Sequence, residues 1–155
     1  ASSRSNVVEV SATFLRSLED ALPYYMDLKD ALVASDAETA SEKADAMRNV
    51  LPATGKQSGE AEREVLVKFD RYLTRISQGT DLKDQRFQFR LLSEALIKIA
   101  KPLGTPRNPL YLQYCPMAND NKGAYWISRD SSIRNPYYGD AMLTCGEVRA
   151  TWPDQ

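Results

Sequence analysis

The sequence predicts a mainly α-helical protein, an antiparallel up-down four-helix bundle with a small C-terminal module of β-hairpin and irregular chain. Three observations predict this fold. Apolar residues recur at helical spacing in four stretches before residue 104, and proline, glycine or polar segments separate these stretches. After Thr105 the chain becomes rich in aromatic and β-favouring residues. Four amphipathic helices with short connections favour an antiparallel bundle.

The first two helices are predicted from apolar stripes and from capping residues. The first covers residues 8–33, and because Pro23 lacks a backbone N–H we expect a kink or a break there. Ser35 or Asp36 can cap the second helix, which Pro52 ends. The apolar residues of the first helix are Phe14, Leu15, Leu18, Leu22, Tyr25, Leu28 and Leu32, and those of the second are Ala40, Ala44, Met47 and Leu51.

The third helix follows residues 54–59, TGKQSG, which are predicted to form a loop. It covers residues 60–78 and ends at Gly79, for which we expect the left-handed conformation that glycine tolerates. Its periodicity places one apolar stripe toward the core. That stripe is Val65, Leu66, Phe69, Leu73 and Ile76.

The fourth helix begins at Thr80 or Asp81, and Pro102 and Gly104 close it. Helical spacing predicts an inner face on this helix as well. The residues assigned to that face are Phe87, Leu91, Leu92, Ala95, Leu96 and Ile99.

The chain after residue 104 is predicted to form two strands, 110–117 and 124–128, separated by the turn-forming residues NDNKG. A third strand is expected at 148–152, and residues 141–144 are expected to make one helical turn. This part is too short to bury a core of its own. We therefore expect a single domain over residues 1–155, in which a bundle of residues 10–103 carries a C-terminal module of residues 105–155.

Composition excludes several classes of function. The net charge of −1 gives no electrostatic footprint for nucleic acid, and no apolar run approaches the length that membrane insertion requires. The chain contains no histidine, and we find no nucleophile–base pair, phosphate loop or paired carboxylates, so we expect no enzymatic activity. The start, ASSRSN, is compatible with an exported protein whose signal peptide has been removed.

Sulfur-containing side chains in the last third of the chain carry the candidate chemistry. Cys115 and Met117 are two residues apart, which puts both side chains on one face of a strand, and Met142 and Cys145 are spaced for one face of a helical turn. Thiolate and thioether are soft donors that suit Cu(I). Trp126 is a candidate to lay its indole face against the ion.

Each of these residues also has a purely structural interpretation. Cys115 and Cys145 can form a disulfide that closes a loop of about 30 residues, which stabilises by about 3–4 kcal/mol in the loop-entropy account. The same cysteines can stay free thiols. Methionine is usually a core filler, and Trp126 is then simply packed in the core. Residue types and spacing leave the metal site, the disulfide and the free thiols open.

Residues 114–148, YCPMANDNKGAYWISRDSSIRNPYYGDAMLTCGEV, resemble a bacterial domain family of unknown function. Members of that family occur in exported proteins and appended to periplasmic adaptor (membrane-fusion) subunits of copper and heavy-metal efflux systems. The helical stretches YYMDLKDALVASDAETA and LLSEALIKIAKPLG resemble the same family. The run Tyr-Cys-Pro-Met also resembles small heavy-metal-binding domains of metal transporters, with Ala118 in place of their usual histidine.

The resemblance implies a periplasmic or otherwise exported location and an association with metal efflux. With the resemblance, the leading hypothesis is a copper-binding or metallochaperone-like domain. Its ligands are Cys115, Met117, Met142 and Cys145, and Trp126 lies beside the bound ion. The expected partner is a periplasmic adaptor or efflux component. The alternative is a protein-interaction module without metal, stabilised by a disulfide between the two cysteines. The identity of the metal and the oligomeric state remain open at this point.

Overall fold

Four long helices and a small C-terminal sheet make up the part of the chain that the structure, a computed structural model, describes: residues 10–52 and 59–154. The helices are α1 (Ala12–Val33), α2 (Ala37–Val50), α3 (Glu60–Gln78) and α4 (Leu82–Ala100), and the strands are β1 (Leu110–Cys115), β2 (Ala124–Ser128) and β3 (Glu147–Trp152). Two parts of the sequence prediction, the start of the first helix at residues 8–9 and residues 54–58 of the predicted loop, lie outside the described residues.

Helix α1 begins where the Oγ of Ser11 accepts a hydrogen bond from the N–H of Phe14. It is continuous through Pro23, so the expected break does not occur. Pro23 and Glu19 both lie on the exposed face of the helix. The Glu19 carbonyl group lacks its helical hydrogen bond, because Pro23 has no backbone N–H. Water can bind this carbonyl group instead, so the helix continues through Pro23 with only a small loss of stability.

Helix α2 is capped by Asp36 rather than by Ser35, because the Asp36 carboxylate accepts the N–H of Thr39. Ala40, Ala44 and Met47 are buried, as predicted, whereas Leu51 lies just beyond the helix in an extended conformation and is half-buried.

Helix α3 has the predicted bounds, and all five residues assigned to its inner stripe are buried. Gly79 ends it differently from the expectation. Its φ of −87° and ψ of 152° are extended, not left-handed, and its N–H donates to the carbonyl oxygen of Ile76. The chain therefore becomes extended directly after α3, and the turn to α4 lacks the left-handed residue of a typical glycine C-cap.

Helix α4 corrects one assignment of the sequence analysis. Asp81 caps the helix through the N–H of Lys83, but Phe87 is 50% exposed, whereas Phe89 is completely buried. Residues two apart on a helix differ by about 200° in direction, so only one of these two rings can face the core. Leu91 and Ala95, on the side of Phe87, are half-buried. The residues of α4 that are buried are Gln85, Gln88, Phe89, Leu92, Ser93, Leu96, Ile99 and Ala100.

The C-terminal sheet is antiparallel, with strand order β2-β1-β3. The predicted hairpin and third strand are therefore present, although β1 ends at Cys115 and not at Met117. A register shift between Leu112 and Gln113 interrupts the pairing with β3. Gln113 is buried there, and its side-chain amide donates to the carbonyl oxygen of Asp130 at 2.9 Å.

The edge strand β2 lies against the helices, and tyrosine hydroxyl groups form hydrogen bonds with its free backbone groups. The N–H of Ile127 donates to the Oη of Tyr25 in α1, and the Oη of Tyr137 donates to the carbonyl oxygen of Tyr125. The buried apolar residues form one continuous cluster from Phe14 to Trp152. The sheet therefore completes the core of the helices. Within the described residues, no helix combines the length and apolarity needed to cross a bilayer.

Candidate functional site

The structure brings together the two cysteines that the sequence singles out. Cys115 is the last residue of β1 and is buried, and Cys145 lies in the turn before β3 and is half-buried. Their sulfur atoms are 3.6 Å apart, which is within hydrogen-bond distance for sulfur, and both residues are free thiols. A pair separated by 30 residues in sequence thus forms a single dithiol group.

Strand pairing and one buried amide position this dithiol. Because β1 pairs with β3 at Tyr114 and Glu147, the turn before β3 must pass the end of β1. Asn135 holds that turn: its Nδ2 donates to the carbonyl oxygen of Cys145 at 3.0 Å, and its backbone N–H donates to that of Leu143 at 2.7 Å. Asn135 is completely buried, so each of these hydrogen bonds is protected from water.

Glycine at position 146 permits the close approach of the Cys145 turn to β1. Its φ is +137°, and a Cβ at this position would lie 2.8 Å from the carbonyl oxygen of Tyr114 and 3.3 Å from the ring of Trp126. A larger residue would push the turn away from both. The indole ring of Trp126 therefore lies directly behind the residue that follows Cys145.

Trp126 is completely buried and packs edge-on against Tyr137, with 5.8 Å between ring centroids. Its Nε1 has no hydrogen-bond partner among the described residues. The ring is thus part of the core, and it lies beside Gly146, the residue that follows Cys145. The core role of Trp126 is observed, and its role against a bound ion stays a prediction.

The methionines lie on the two segments that carry the cysteines. Met117 is 44% exposed and follows the end of β1 in a helical conformation, so the alternation argument that put it on one strand face with Cys115 is wrong. Met142 is half-buried at the end of a short 3₁₀ turn, and its carbonyl oxygen accepts the N–H of Cys145 at 3.0 Å. The helical turn expected between Met142 and Cys145 is therefore present.

The close contact of the two thiols has an electrostatic consequence. The pKa of the Cys145 thiol is raised above its ordinary value. The largest cause is its hydrogen bond with Cys115, and partial burial and charge repulsion from Cys115 add to it. Two adjacent thiolates repel each other, so the doubly deprotonated pair needs a compensating positive charge. A bound cation supplies that charge, and oxidation to a disulfide removes the need for it.

The donor set of the site is restricted. Within residues 10–52 and 59–154, no three His, Cys, Asp or Glu side chains are grouped closely enough to hold a metal ion. The metal donors at the dithiol are therefore the sulfur atoms of the two cysteines. The methionines on the same two segments offer thioether sulfur as a further donor. Such a set suits a soft monovalent ion and not magnesium or calcium.

Comparison with known families identifies the helical part of the chain. A family model with the description "protein of unknown function (DUF3347)" matches residues 21–108, which is more than half of the chain. The chain belongs to this family. No curated protein and no solved structure matches it. The DUF3347 match runs from the middle of α1 to the segment before β1, so the two cysteines lie beyond its end.

Asn135 is the residue holding the Cys145 turn that the sequence analysis missed in this DUF3347 chain. From the sequence, no helix, strand or site role is predicted for residue 135. The signal that could have found it is the pair Asn-Pro, because asparagine before a turn often bonds to the backbone two residues ahead. The Oδ1 of Asn135 does accept the N–H of Tyr137, at 2.8 Å.

Proposed function

We propose that this chain is a binding module that takes up one Cu(I) ion between Cys115 and Cys145, and that it has no catalytic activity. The single observation that carries the proposal is the 3.6 Å distance between the two cysteine sulfurs. Two sulfurs that share one ion at a bond length of about 2.3 Å, as for zinc thiolates, lie roughly 3.8 Å apart at a tetrahedral angle. The dithiol therefore needs little rearrangement to hold an ion.

Donor chemistry supports copper among the soft metals. Two thiolates carry two negative charges, and one Cu(I) reduces the charge of the site to −1, which relieves the repulsion within the pair. Neither imidazole nor a grouped carboxylate is available to complete an ordinary zinc site in the described part of the chain. Met117 or Met142 is proposed as a third, thioether donor, since both lie within two or three residues of a cysteine.

The proposed cellular setting rests on the resemblance described for residues 114–148. Domains of that kind occur in exported proteins and beside periplasmic adaptor subunits of copper and heavy-metal efflux systems. We infer a periplasmic location and transfer of Cu(I) to an adaptor or efflux component. A partly buried dithiol on a segment that carries an exposed methionine fits transfer, because the partner can approach from the side of Met117.

The scaffold proposed for this site is an up-down four-helix bundle. Successive helices pack against one another, and α1 also contacts α4 through the stacked rings of Tyr25 and Phe89, whose centroids are 5.1 Å apart. Short connections between α1 and α2 and between α3 and α4 favour antiparallel neighbours. The sheet then closes one side of the bundle.

The experiment is an anaerobic titration of the reduced protein with Cu(I) in competition with a chromophoric chelator. We expect one tightly bound ion, and we expect the double variant Cys115→Ser, Cys145→Ser to lose it because a hydroxyl group is a hard, weak ligand for Cu(I). Met117→Leu and Met142→Leu nearly conserve volume, so at least one should weaken binding without unfolding the protein. Met26→Leu, in α1, is the matched control and should have no effect.

A second function follows if the double serine variant binds Cu(I) as well as the unsubstituted protein. The dithiol is then structural, and the chain is an interaction module that a disulfide between Cys115 and Cys145 stabilises. The same sulfur distance favours this alternative. Titration with Cu(I) decides between the two functions because only the first requires the thiols to be ligands.

A further inference from the structure

A cleft of about 350 Å³ lies between the first half of α4 and the chain that follows β1. One wall belongs to α4 and the other to the segment after Met117, and two tyrosines complete the lining. The cleft is separate from the sulfur atoms of the dithiol. Its lining residues are Lys83, Arg86, Phe87, Arg90, Ala118, Asn119, Asp120, Tyr137 and Tyr138.

The α4 wall presents an aromatic ring and a cation together. Phe87 is 50% exposed, and the Cζ of Arg90 lies 5.2 Å from the centroid of its ring. Arg90 also pairs with Glu94, with 2.7 Å between Nη1 and the carboxylate oxygen. The pair keeps the guanidinium close to the ring. An exposed phenylalanine in a cleft is available to an apolar or planar group.

The charge of the lining is positive. Lys83, Arg86 and Arg90 are cations, and Asp120 is the one carboxylate among the residues that line the cleft. The guanidinium of Arg86 donates to the carbonyl oxygens of Leu32 and Pro136, which are neutral and leave its charge uncompensated. Lys83 is exposed, and its ammonium group has no ion-pair partner among the described residues. The cleft therefore attracts an anion.

The opposite wall is held in one shape. Asn119, Asp120 and Asn121 have φ values of 57°, 55° and 66°, a left-handed conformation that costs energy for residues other than glycine. Several hydrogen bonds hold this turn. Among them, the N–H of Gly123 donates to the carbonyl oxygen of Ala118, and the Oη of Tyr138 donates to that of Met117. The wall is thus preformed before any ligand arrives.

We propose that this cleft binds a small organic anion in which a carboxylate is joined to an aromatic body. The aromatic body lies on Phe87, and the carboxylate faces Lys83, the exposed lining cation without an ion-pair partner among the described residues. The volume and the mixture of apolar lining with a few charged groups are those of a small-molecule site. This proposal is independent of Cu(I) binding, and it concerns different residues.

The test uses the metal-free, reduced protein of residues 1–155 labelled with ¹⁵N, with two probes of nearly equal shape, one charged and one neutral: 3-phenylpropionate and its amide. Amide chemical shifts are followed during titration of each probe. We expect saturable changes at Phe87, Ala118 and Asn119, and an affinity for the acid about five-fold higher than for the amide, as one charge contact in water implies. Equal affinity, or changes confined to other residues, would overturn the proposal.

Three variants locate the contacts. Phe87→Ala should abolish the changes at the opposite wall, and Lys83→Gln should weaken binding of the acid about five-fold while leaving the amide unaffected. Lys98→Gln is the control, because Lys98 is an exposed lysine of the same helix that does not line this cleft. Both Phe87 and Lys83 are exposed, so the fold should survive, and far-ultraviolet circular dichroism checks this. An equal effect of Lys83→Gln and Lys98→Gln would contradict the site.

Discussion

The hydroxyl oxygen of Tyr25 accepts a hydrogen bond from the backbone N–H of Ile127, with 3.2 Å between oxygen and nitrogen. The same hydroxyl is 2.7 Å from the Oγ of Ser93. Tyr25 is completely buried, and burial raises the pKa of its phenol, so the group stays neutral. Either hydroxyl can donate in the hydrogen bond between Tyr25 and Ser93. One side chain therefore joins α1 and α4 to the edge of β2.

Tyr25→Phe should destabilise the protein by about 1–3 kcal/mol, because the substitution leaves the N–H of Ile127 and the hydroxyl of Ser93 buried without this partner. Urea unfolding followed by circular dichroism measures the change. Tyr24→Phe is the control: Tyr24 is half-buried, and its hydroxyl makes no hydrogen bond within the described residues, so the change should be small. A similar loss in the free energy of unfolding in both variants would show that the Tyr25 hydrogen bonds contribute nothing specific to stability.

Phe89→Ala and Phe87→Ala should differ strongly in their effect on stability. Phe89 is fully buried and contacts the rings of Tyr25 and Tyr137, so its removal should cost about 3–5 kcal/mol. Phe87 is half-exposed, and its removal should cost about 0.5 kcal/mol or less. Urea unfolding of both variants gives the comparison. The reverse order would mean that the inner face of α4 is the one that the sequence alone predicts.

Oxidised glutathione should convert the two thiols of Cys115 and Cys145 into an intramolecular disulfide, with the glutathione reduced to its thiol form. The product should be more stable than the reduced protein by about 3–4 kcal/mol in the loop-entropy account. Mass spectrometry detects the loss of two hydrogen atoms, and thermal unfolding measures the gain. Cys145→Ser is the control and should show neither change. A mixed disulfide with glutathione as the main product would contradict the sulfur contact.

A chain that ends at residue 104 should be markedly less stable than the whole protein. The deletion uncovers Tyr25 and Phe89, which Ile127 and Tyr137 contact in the intact structure. Because the buried cluster is continuous across helices and sheet, the shortened chain loses part of its core. Calorimetric unfolding tests this expectation. If residues 1–104 and residues 105–155 each unfolded cooperatively as separate chains, the single-domain prediction would be wrong.

The helices were predictable because their signals are local. Asp36 and Asp81 cap α2 and α4 through hydrogen bonds to N–H groups two or three residues ahead, and such bonds depend only on nearby sequence. The bounds of α3 match the prediction for the same reason. Phe87 and Phe89 show that apolar residue type alone does not assign the inner face. Phe89 lies on the same helix face as Leu92 and Leu96, three and seven residues on, and the rings of Tyr25 and Tyr137 cover it.

The sequence by itself determined four amphipathic helices, most of their inner residues, three strands and the two cysteines that carry the candidate chemistry. Only the tertiary structure decided that the cysteine sulfurs lie 3.6 Å apart, that Met117 is outside β1, and that Asn135 holds the turn of Cys145. Periodicity and capping arise from contacts within about four residues along the chain. The geometry of the dithiol depends on strand order and on the hydrogen bond of a buried amide to a carbonyl group ten residues away, and local patterns specify neither of these contacts.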